Sequence, residues 1–353
     1  MTVVAVRHMT ENDDDALEAL LRRDRGNLIY STPSFLAFLR EATGARVVVL
    51  LAEHAGELVG ALAFAIQEAA GVGCIVNSLP WWGSHGSVVM DRSRGDVADI
   101  RAALLDAIVD STRAVDALAT TIVLLPAEDS ACDDYARVLQ PTAFDSRIGQ
   151  ITELPGSPDL DEALLPHFHQ KTRNLVRKGL KQGFVEVISD DPWAWTFLFE
   201  THAANIAALG GASKPRRHFE CIRDRIPPDR RRLSIAMDGD RPVAAMLTLA
   251  FNGTIEYLTP AIDVAHRSRQ PLSFLIVNGM QHAIEAGARR WNWGGTWHGQ
   301  PALHHFKAGF GAIDVPYRYL VKASERGLSL FRERRSDLAR LFPYFYAYPF
   351  AEL

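Results

Sequence analysis

The hydrophobic and polar positions along the chain follow both helical and strand periods, which predicts an α/β protein. Apolar residues recur at helical spacing in segments such as 96–116 and 271–287. Aliphatic runs at 46–52 and 58–66 are separated by the turn sequence His54-Ala55-Gly56-Glu57, which is typical of a β-hairpin.

One pattern occurs twice. LAEHAGELVGALAFAI at 51–66 and IAMDGDRPVAAMLTLAF at 235–251 each read as strand, acidic turn with Gly, and strand. Each is followed by more strand-like sequence, an amphipathic helix and a short buried strand. Because the two copies lie about half the chain apart, we interpret them as two copies of one α/β module. Two unrelated hairpins that share a turn type are the alternative.

The boundary between the halves is predicted in 152–166, which holds three prolines and four acidic residues. We therefore expect domains at 1–155 and 156–353. Charge differs between the halves: residues 1–150 carry 12 Lys and Arg against 21 Asp and Glu, and residues 151–353 carry 26 against 21. The acidic total argues against a general nucleic-acid binder, and no DNA partner is expected.

Composition narrows the class of protein further. The 353 residues are 48% hydrophobic, yet no run of about 18 uncharged apolar residues predicts a transmembrane helix. The N-terminal MTVVAVRHMTENDDD turns acidic where a signal peptide needs its apolar core, so we expect a cytoplasmic protein. The three cysteines form no CxxC pair, which argues against a disulfide framework and a zinc knuckle.

Lysine is rare in this chain, with six Lys among 38 basic residues. A GC-rich genome is the ordinary explanation for so much arginine. A position that retains lysine is then more often one that needs a compact, titratable ammonium.

Three stretches resemble one family. They are HQKTRNLVRKGLKQG at His169–Gly183, WNWGG at Trp291–Gly295, and LHHFKAGFG at Leu303–Gly311. Together they resemble the FemAB-type acyltransferases, a branch of the GNAT superfamily. The resemblance implies two tandem GNAT-like domains, each a mixed, mostly antiparallel sheet flanked by helices. It also implies transfer of an acyl or aminoacyl group to an amine, with acyl-CoA or aminoacyl-tRNA as co-substrate and no permanently bound cofactor.

Lys307 is the leading catalytic candidate. Acyl transfer needs stabilisation of a developing oxyanion, and a cation in a water-poor cleft supplies it. The family resemblance marks this lysine as important for transfer. Phe306 beside it is expected to be a core or cleft-wall residue. A surface lysine on a short helix is the alternative. Tyr257 and Glu256 follow a predicted turn on one strand, so they point to opposite faces. Tyr257 is a candidate to orient the donor, and Glu256 a candidate general base.

Phosphate contacts are expected at two places. The helix predicted at 166–182 is basic, and the resemblance favours Arg173 and Arg177, with Lys178, as phosphate ligands; a solvated helix face is the alternative. The helix from Pro271 begins where GNAT proteins carry a glycine-rich pyrophosphate loop. Here that segment contains no Gly, which weakens an acetyl-CoA interpretation, although Arg267 and Arg269 remain candidate ligands.

The loop NSLPWWGSHG at 77–86 resembles the family's acceptor loop. Trp81 and Trp82 are candidates to stack on a sugar or base, and His85 to hydrogen-bond it. His298, His304 and His305 have no carboxylate at ligand spacing, so no metal site is expected.

These observations predict an N-acyltransferase that acts on an amine of a phosphate-bearing acceptor, such as an amino sugar or a cell-envelope precursor. The phosphate of this acceptor would belong to a linked nucleotide or lipid. An aminoacyl-tRNA-dependent, peptidoglycan-type transferase is one alternative. A non-catalytic module that binds a nucleotide-linked ligand is another. The aromatic tail Leu341–Phe350 is expected to pack internally or against a partner.

Overall fold

A computed structural model describes residues 4–80, 85–211 and 213–349. Its strands, in chain order, are β1 (Ala5–His8), β2 (Arg46–His54), β3 (Glu57–Ala69), β4 (Gly73–Ser78), β5 (Val89–Met90), β6 (Ala119–Val123), β7 (Ala143–Glu153), β8 (Val185–Ile188), β9 (Arg231–Asp238), β10 (Arg241–Phe251), β11 (Thr254–Ile262), β12 (Arg290–Thr296) and β13 (Ile313–Ala323).

The helices, in chain order, are α1 (Asp14–Arg22), α2 (Pro33–Thr43), α3 (Val97–Ala114), α4 (Cys132–Leu139), α5 (Leu165–His167), α6 (Gln170–Leu180), α7 (Pro192–Ala207), α8 (Arg216–Arg225), α9 (Pro271–Glu285), α10 (Pro301–Gly309), α11 (Glu325–Glu333) and α12 (Leu338–Leu341). Within the described ranges, no helix is both long and apolar enough to cross a lipid bilayer.

The chain forms two compact units. Unit 1 contains residues 1–147 and 316–353, and unit 2 contains residues 148–315. In unit 1 the strand order is β1-β2-β3-β4-β6-β13, with β5 paired to β3. The pairings in this sheet are antiparallel except β4 with β6, which α3 connects in parallel. Leu104, Leu105 and Ile108 of α3 pack with Leu62 and Phe64 of β3.

Unit 2 repeats this arrangement. Its strand order is β8-β9-β10-β11-β12-β7, and its one parallel pair is β11 with β12, which α9 connects. The two hairpins predicted from sequence are β2–β3 and β9–β10, with Gly56 at φ 80° and Gly239 at φ 59° in their turns. Glycine suits these turns because positive φ costs it no Cβ clash. The predicted fold class, mostly antiparallel mixed sheets flanked by helices, is confirmed.

The sixth strand of each unit comes from the other half of the sequence. Strand β13 pairs with β6 in unit 1, with Tyr319 opposite Val123. Strand β7 pairs with β12 in unit 2, with Thr152 opposite Trp291. The units therefore differ from the linear division at 1–155 and 156–353, because each sheet is completed by a strand that follows the other unit's helices.

The C-terminal segment is built into unit 1. Phe331 of α11 and the tail residues Phe342, Phe345 and Tyr348 are buried in one cluster with Ile75 of β4. The described residues of the aromatic tail thus pack inside their own unit. Gly327 of α11 lies so close to β6 that a Cβ there would stand 2.1 Å from the Leu118 carbonyl oxygen.

The basic helix is shorter than predicted. The expected helix at 166–182 is interrupted at Phe168, which is 2% exposed and packs on Phe310 at 5.3 Å between ring centroids. Helix α6 starts only at Gln170. Burial of Phe168 in the core of unit 2 therefore turns the chain at a point where the charge pattern alone reads as continuous helix.

We predict that Gly327→Ala lowers the free energy of unfolding by about 2–3 kcal/mol. The new methyl group would clash with a backbone carbonyl, which cannot move aside by changing rotamer as a side chain can. Ser329→Ala, at an exposed position of the same helix, is the matched control. Urea unfolding of both variants measures the effect. Equal stability of the two would show that α11 is not held against β6 as described.

Candidate active site

Lys307 lies near the end of α10, and its side chain is almost fully enclosed at 4% exposed. Its ammonium donates to the Thr296 hydroxyl at 2.8 Å and to the carbonyls of Gly294 at 3.1 Å and Gly295 at 3.4 Å. Gly294 has φ 71°, and the register of β12 against β7 shifts between Asn292 and Gly295. The irregular end of β12 thus presents successive oxygens to one ammonium, as a regular strand cannot.

The electrostatic setting of Lys307 is that of a buried cation without a counter-ion. All three of its acceptors are uncharged, and no salt bridge forms to it from the described residues. Burial lowers the pKa of Lys307 to about 8, because desolvation penalises the ammonium. The sequence alternative of an exposed surface lysine does not match this position.

Helix α6 holds α10 in place through a close approach. Gly309 of α10 lies against Thr172, so a Cβ at Gly309 would stand 2.3 Å from the Thr172 hydroxyl oxygen. The His169 amide donates to the Gly309 carbonyl at 2.9 Å. The position of Lys307 therefore depends on α6 as well as on β12.

An aromatic cluster lies beside this lysine. Phe306 packs on Trp293 at 6.1 Å between ring centroids, and Trp293 packs on Tyr257 at 5.0 Å. Trp293 donates to the Thr152 hydroxyl at 2.9 Å. The Tyr257 hydroxyl is buried and has no hydrogen-bond partner among the described residues, and burial raises its pKa. The hydrogen-bonding capacity of this hydroxyl is therefore unused among the described residues.

Glu256 lies on the opposite face of β11 from Tyr257. Its register neighbours are Leu249 of β10 and Asn292 of β12, and it is 3% exposed. The structure thus places the two neighbouring candidates on different faces, and only Tyr257 belongs to the aromatic cluster next to Lys307.

The basic residues of α6 differ in their surroundings. Arg177 and Lys178 are exposed, and Arg177 contacts Asp161 at 3.4 Å. Arg173 is partly buried, and its guanidinium has no partner among the described residues. Arg173 directly follows Thr172, the residue of α6 that contacts α10.

The start of α9 is partly closed. Gly179 of α6 packs against its first turn, where a Cβ would stand 2.7 Å from the Gln270 carbonyl oxygen. Arg269 is engaged with Asp238 and Gln182 and lies 4.9 Å from the centre of the Phe184 ring. Arg267 is exposed. One side of this helix terminus is thus covered by protein where a pyrophosphate loop is expected.

His85 of unit 1 is fully buried. Its Nδ1 lies 2.7 Å from the Leu124 carbonyl, so Nδ1 carries the proton, and its Nε2 has no partner among the described residues. Burial, with a smaller effect from Arg147, lowers its pKa to about 4, so it is neutral at physiological pH. Trp81 and Trp82 lie outside the described residues.

The histidines near Lys307 have separate surroundings. His304 pairs with Asp314 at 2.8 Å, and His305 is exposed. No group of three or more His, Cys, Asp or Glu side chains in the described part of the chain is arranged to hold a metal ion.

Comparison with known proteins connects this geometry to a family. Residues 166–307 match the family model described as an acetyltransferase (GNAT) domain, and the match ends at Lys307. This segment, called the GNAT domain below, is similar to GNAT acetyltransferase domains. The GNAT domain contains α6, strands β8–β12 and Lys307, and the match supports an acyltransferase activity. No curated protein has a matching sequence.

Solved structures show the fold around the GNAT domain. The chain is similar to FemX, with 16% identity, a TM-score of 0.73, and coverage of 93% of this chain and 99% of that chain. It is similar to the C-terminal domain of a putative lysylphosphatidylglycerol synthetase from Agrobacterium fabrum, with 16% identity, a TM-score of 0.57, and coverage of 93% and 96%. A tandem GNAT protein from the clavulanic acid biosynthesis pathway gives 14% identity, a TM-score of 0.56, and coverage of 91% and 98%. The FemAB-type fold expected from the motifs is confirmed.

Sequence reasoning missed three residues near these elements. Thr296 and Gln150 contact the Lys307 site from β12 and β7, and no motif marks either of them. Lys214 donates to the Thr259 hydroxyl at 3.1 Å, and burial lowers its pKa to about 8. The rarity of lysine was the signal available for Lys214.

We predict that Lys214→Met raises the free energy of unfolding at pH 7 by about 1–3 kcal/mol, since 1.36 kcal/mol corresponds to each pKa unit. The depressed pKa means that the folded protein binds fewer protons than the unfolded chain between about pH 8 and 10.5. The wild type therefore gains stability as the pH rises through that window, and the advantage of the variant shrinks.

Lys322→Met, at an exposed position of β13, is the control and is expected to show no such pH dependence. Denaturant unfolding at pH 7 and pH 10 measures both variants. A Lys214→Met protein that is less stable at pH 7 would show that the buried ammonium is a net stabilising group.

Proposed function

We propose that this chain is an N-acyltransferase that moves an acyl or aminoacyl group from a thioester or ester donor to the amine of a phosphate-bearing acceptor. The observation that carries the proposal is the buried Lys307 ammonium, which has neutral acceptors only and lies beside an aromatic wall. Such a cation is held ready for negative charge that develops during a reaction.

The chemistry follows from this placement. The acceptor amine attacks the donor carbonyl carbon, and the carbonyl π electrons move to the oxygen. Lys307 stabilises that oxyanion, and exchanging its longest contact, 3.4 Å to the Gly295 carbonyl, frees an N–H for it. Collapse of the intermediate forms the amide and breaks the bond to the thiolate or alkoxide, and the proton lost by the amine passes to that leaving group. Tyr257, with its unpartnered hydroxyl, is proposed to orient the donor, and Phe306 and Trp293 to exclude water.

Glu256 remains the candidate base from sequence. Its burial on the opposite face of β11 does not support direct contact with the atoms that Tyr257 would contact. We therefore base no step on Glu256.

We propose that the basic side chains of α6 bind a phosphate group of the acceptor. Arg173 has no partner among the described residues, Lys178 is exposed, and the Arg177 contact with Asp161 is a long, exposed pair of low strength. A phosphate competes readily for such groups. One structural relative is named for lysylphosphatidylglycerol, an aminoacylated compound that carries phosphate. An amino sugar or cell-envelope precursor linked to a nucleotide or lipid fits this chemistry. His85 is fully buried, so its predicted contact with the acceptor is not part of the proposal.

Two donors are compatible with this reaction, an acyl-CoA thioester and an aminoacyl-tRNA ester. The GNAT family match favours acyl-CoA. Gly179 against the first turn of α9 and the engagement of Arg269 with Asp238 both speak against a CoA pyrophosphate at that helix terminus, where Arg267 is exposed. These observations favour the second candidate, an aminoacyl-tRNA-dependent transferase.

We predict that Lys307→Met lowers kcat/KM by about 100-fold or more, the usual cost of losing an oxyanion donor. Lys307→Arg keeps the charge and is expected to retain part of the activity. Because the oxyanion role needs the protonated lysine, the wild-type rate relative to Lys307→Arg should fall as the pH rises through about 8.

The assay uses acetyl-CoA, longer acyl-CoAs and aminoacyl-tRNA as donors with amine-bearing UDP-sugars as acceptors, read by mass spectrometry from pH 6.5 to 9.5. Using the ratio to Lys307→Arg cancels the titration of the acceptor amine, which is common to both proteins. A ratio that rises with pH would instead make Lys307 a base, and a Lys307→Met protein with wild-type kcat/KM would remove it from the reaction.

A further inference from the structure

A short chain of hydrogen bonds connects Lys307 to β7. Thr296, which accepts from the Lys307 ammonium, donates its own proton to the Gln150 side-chain oxygen at 3.3 Å. The Gln150 amide nitrogen donates to the His304 carbonyl at 3.1 Å. Gln150 and Thr296 are both fully buried at 0% exposed. We infer that Gln150, acting through Thr296, is a positioning residue that holds Lys307 as a protonated donor at the transfer site.

The direction of each hydrogen bond in this chain is fixed. Because the His304 carbonyl can only accept, the Gln150 amide must turn its NH₂ toward it and its oxygen toward Thr296. The Thr296 proton is then committed to Gln150, which leaves only lone pairs of Thr296 facing Lys307. Lys307 is therefore always the donor in its 2.8 Å contact.

This polarity favours the ammonium over the neutral amine. An ammonium has three N–H groups for its three acceptors, whereas a neutral amine has two and would turn its lone pair toward one of the oxygens. Burial acts in the opposite direction by penalising the charge. The acceptor set thus offsets part of the desolvation and keeps a usable cation in a closed place.

The lack of charge on Gln150 matters for Lys307 as much as the direction of its hydrogen bonds. A carboxylate at this position would pair with Lys307 through Thr296 and neutralise the field that an oxyanion would feel. Charged or titratable side chains on the elements around Lys307 include His304, itself paired with Asp314, and His305 on α10, Arg290 on β12, Arg147 and Glu153 on β7, and Lys171 and Arg173 on α6. None of these side chains hydrogen-bonds Lys307, so Gln150 is the position from which its charge is tuned.

This inference rests on the proposed function only for its effect on turnover, because the Lys307 pKa is measurable without substrate. The chain has six lysines, so protein labelled with ¹³C at lysine Cε gives six titrating NMR signals. The Lys307 signal is assigned as the one that disappears in Lys307→Arg.

Gln150→Glu is expected to raise the Lys307 pKa by about 1 or more, as a nearby opposite charge does. Turnover at pH 7 is expected to fall at least about tenfold, because the cation is now neutralised. Thr296→Val should lower the Lys307 pKa by removing an acceptor, and Thr296→Ser should restore it. If Gln150→Glu does not fold, the comparison of Thr296→Val with Thr296→Ser tests the inference instead.

A Lys307 pKa that is unchanged in Gln150→Glu, or equal in Thr296→Val and Thr296→Ser, would overturn the inference. If the pKa responds as expected while every variant transfers acyl groups at the wild-type rate, the inference about the hydrogen-bond chain holds and the proposed role of Lys307 fails.

Discussion

The proposed active site depends on one constraint, which is that the Lys307 ammonium must stay charged while it is 4% exposed. Its three acceptors are supplied by the irregular end of β12, and that irregularity requires Gly294 at φ 71°. Its helix is held by the close approach of Gly309 to Thr172. Removing any one of these supports would leave a buried charge with too few partners, which is costly in a low-dielectric interior.

Strand exchange between the halves of the sequence brings Gln150 into the hydrogen-bond chain of Lys307. Gln150 lies on β7, which follows the helices of unit 1 in the chain but pairs with β12 in unit 2. The sheet of the GNAT domain is therefore completed by residues that precede the family match at 166–307. In the same way, β13 completes the sheet of unit 1. Neither half of the sequence contains all the strands of its own sheet.

Local features of the sequence were sufficient for much of the fold. The turns at Gly56 and Gly239, the Thr32-Pro33 start of α2 and the Pro271 start of α9 each follow from short-range backbone preferences. Strand exchange could not be predicted in this way, because it depends on pairing between residues far apart in sequence. The break at Phe168 has the same origin, since burial in the core outweighs helical continuity.

The residues of the candidate site also divide into those that the sequence predicted and those that it did not. Lys307, Tyr257 and Phe306 were reached through motif and position, and the structure places them around one aromatic cluster. Gln150 and Thr296 were not reached, because a hydrogen-bond chain between two strands leaves no spacing pattern in the sequence. His85 shows the limit of reasoning from loop composition, since a histidine in a Gly- and Trp-rich segment is fully buried.

The most direct test of the central claim separates binding from chemistry in Lys307→Met. If Lys307 acts on the transition state, the variant should bind donor and acceptor as the wild type does, while its single-turnover rate falls by about 100-fold or more. Ligand affinities from calorimetry and single-turnover rates from quenched flow give both quantities. A variant that loses affinity but keeps its rate once saturated would contradict the claim and make Lys307 a binding residue.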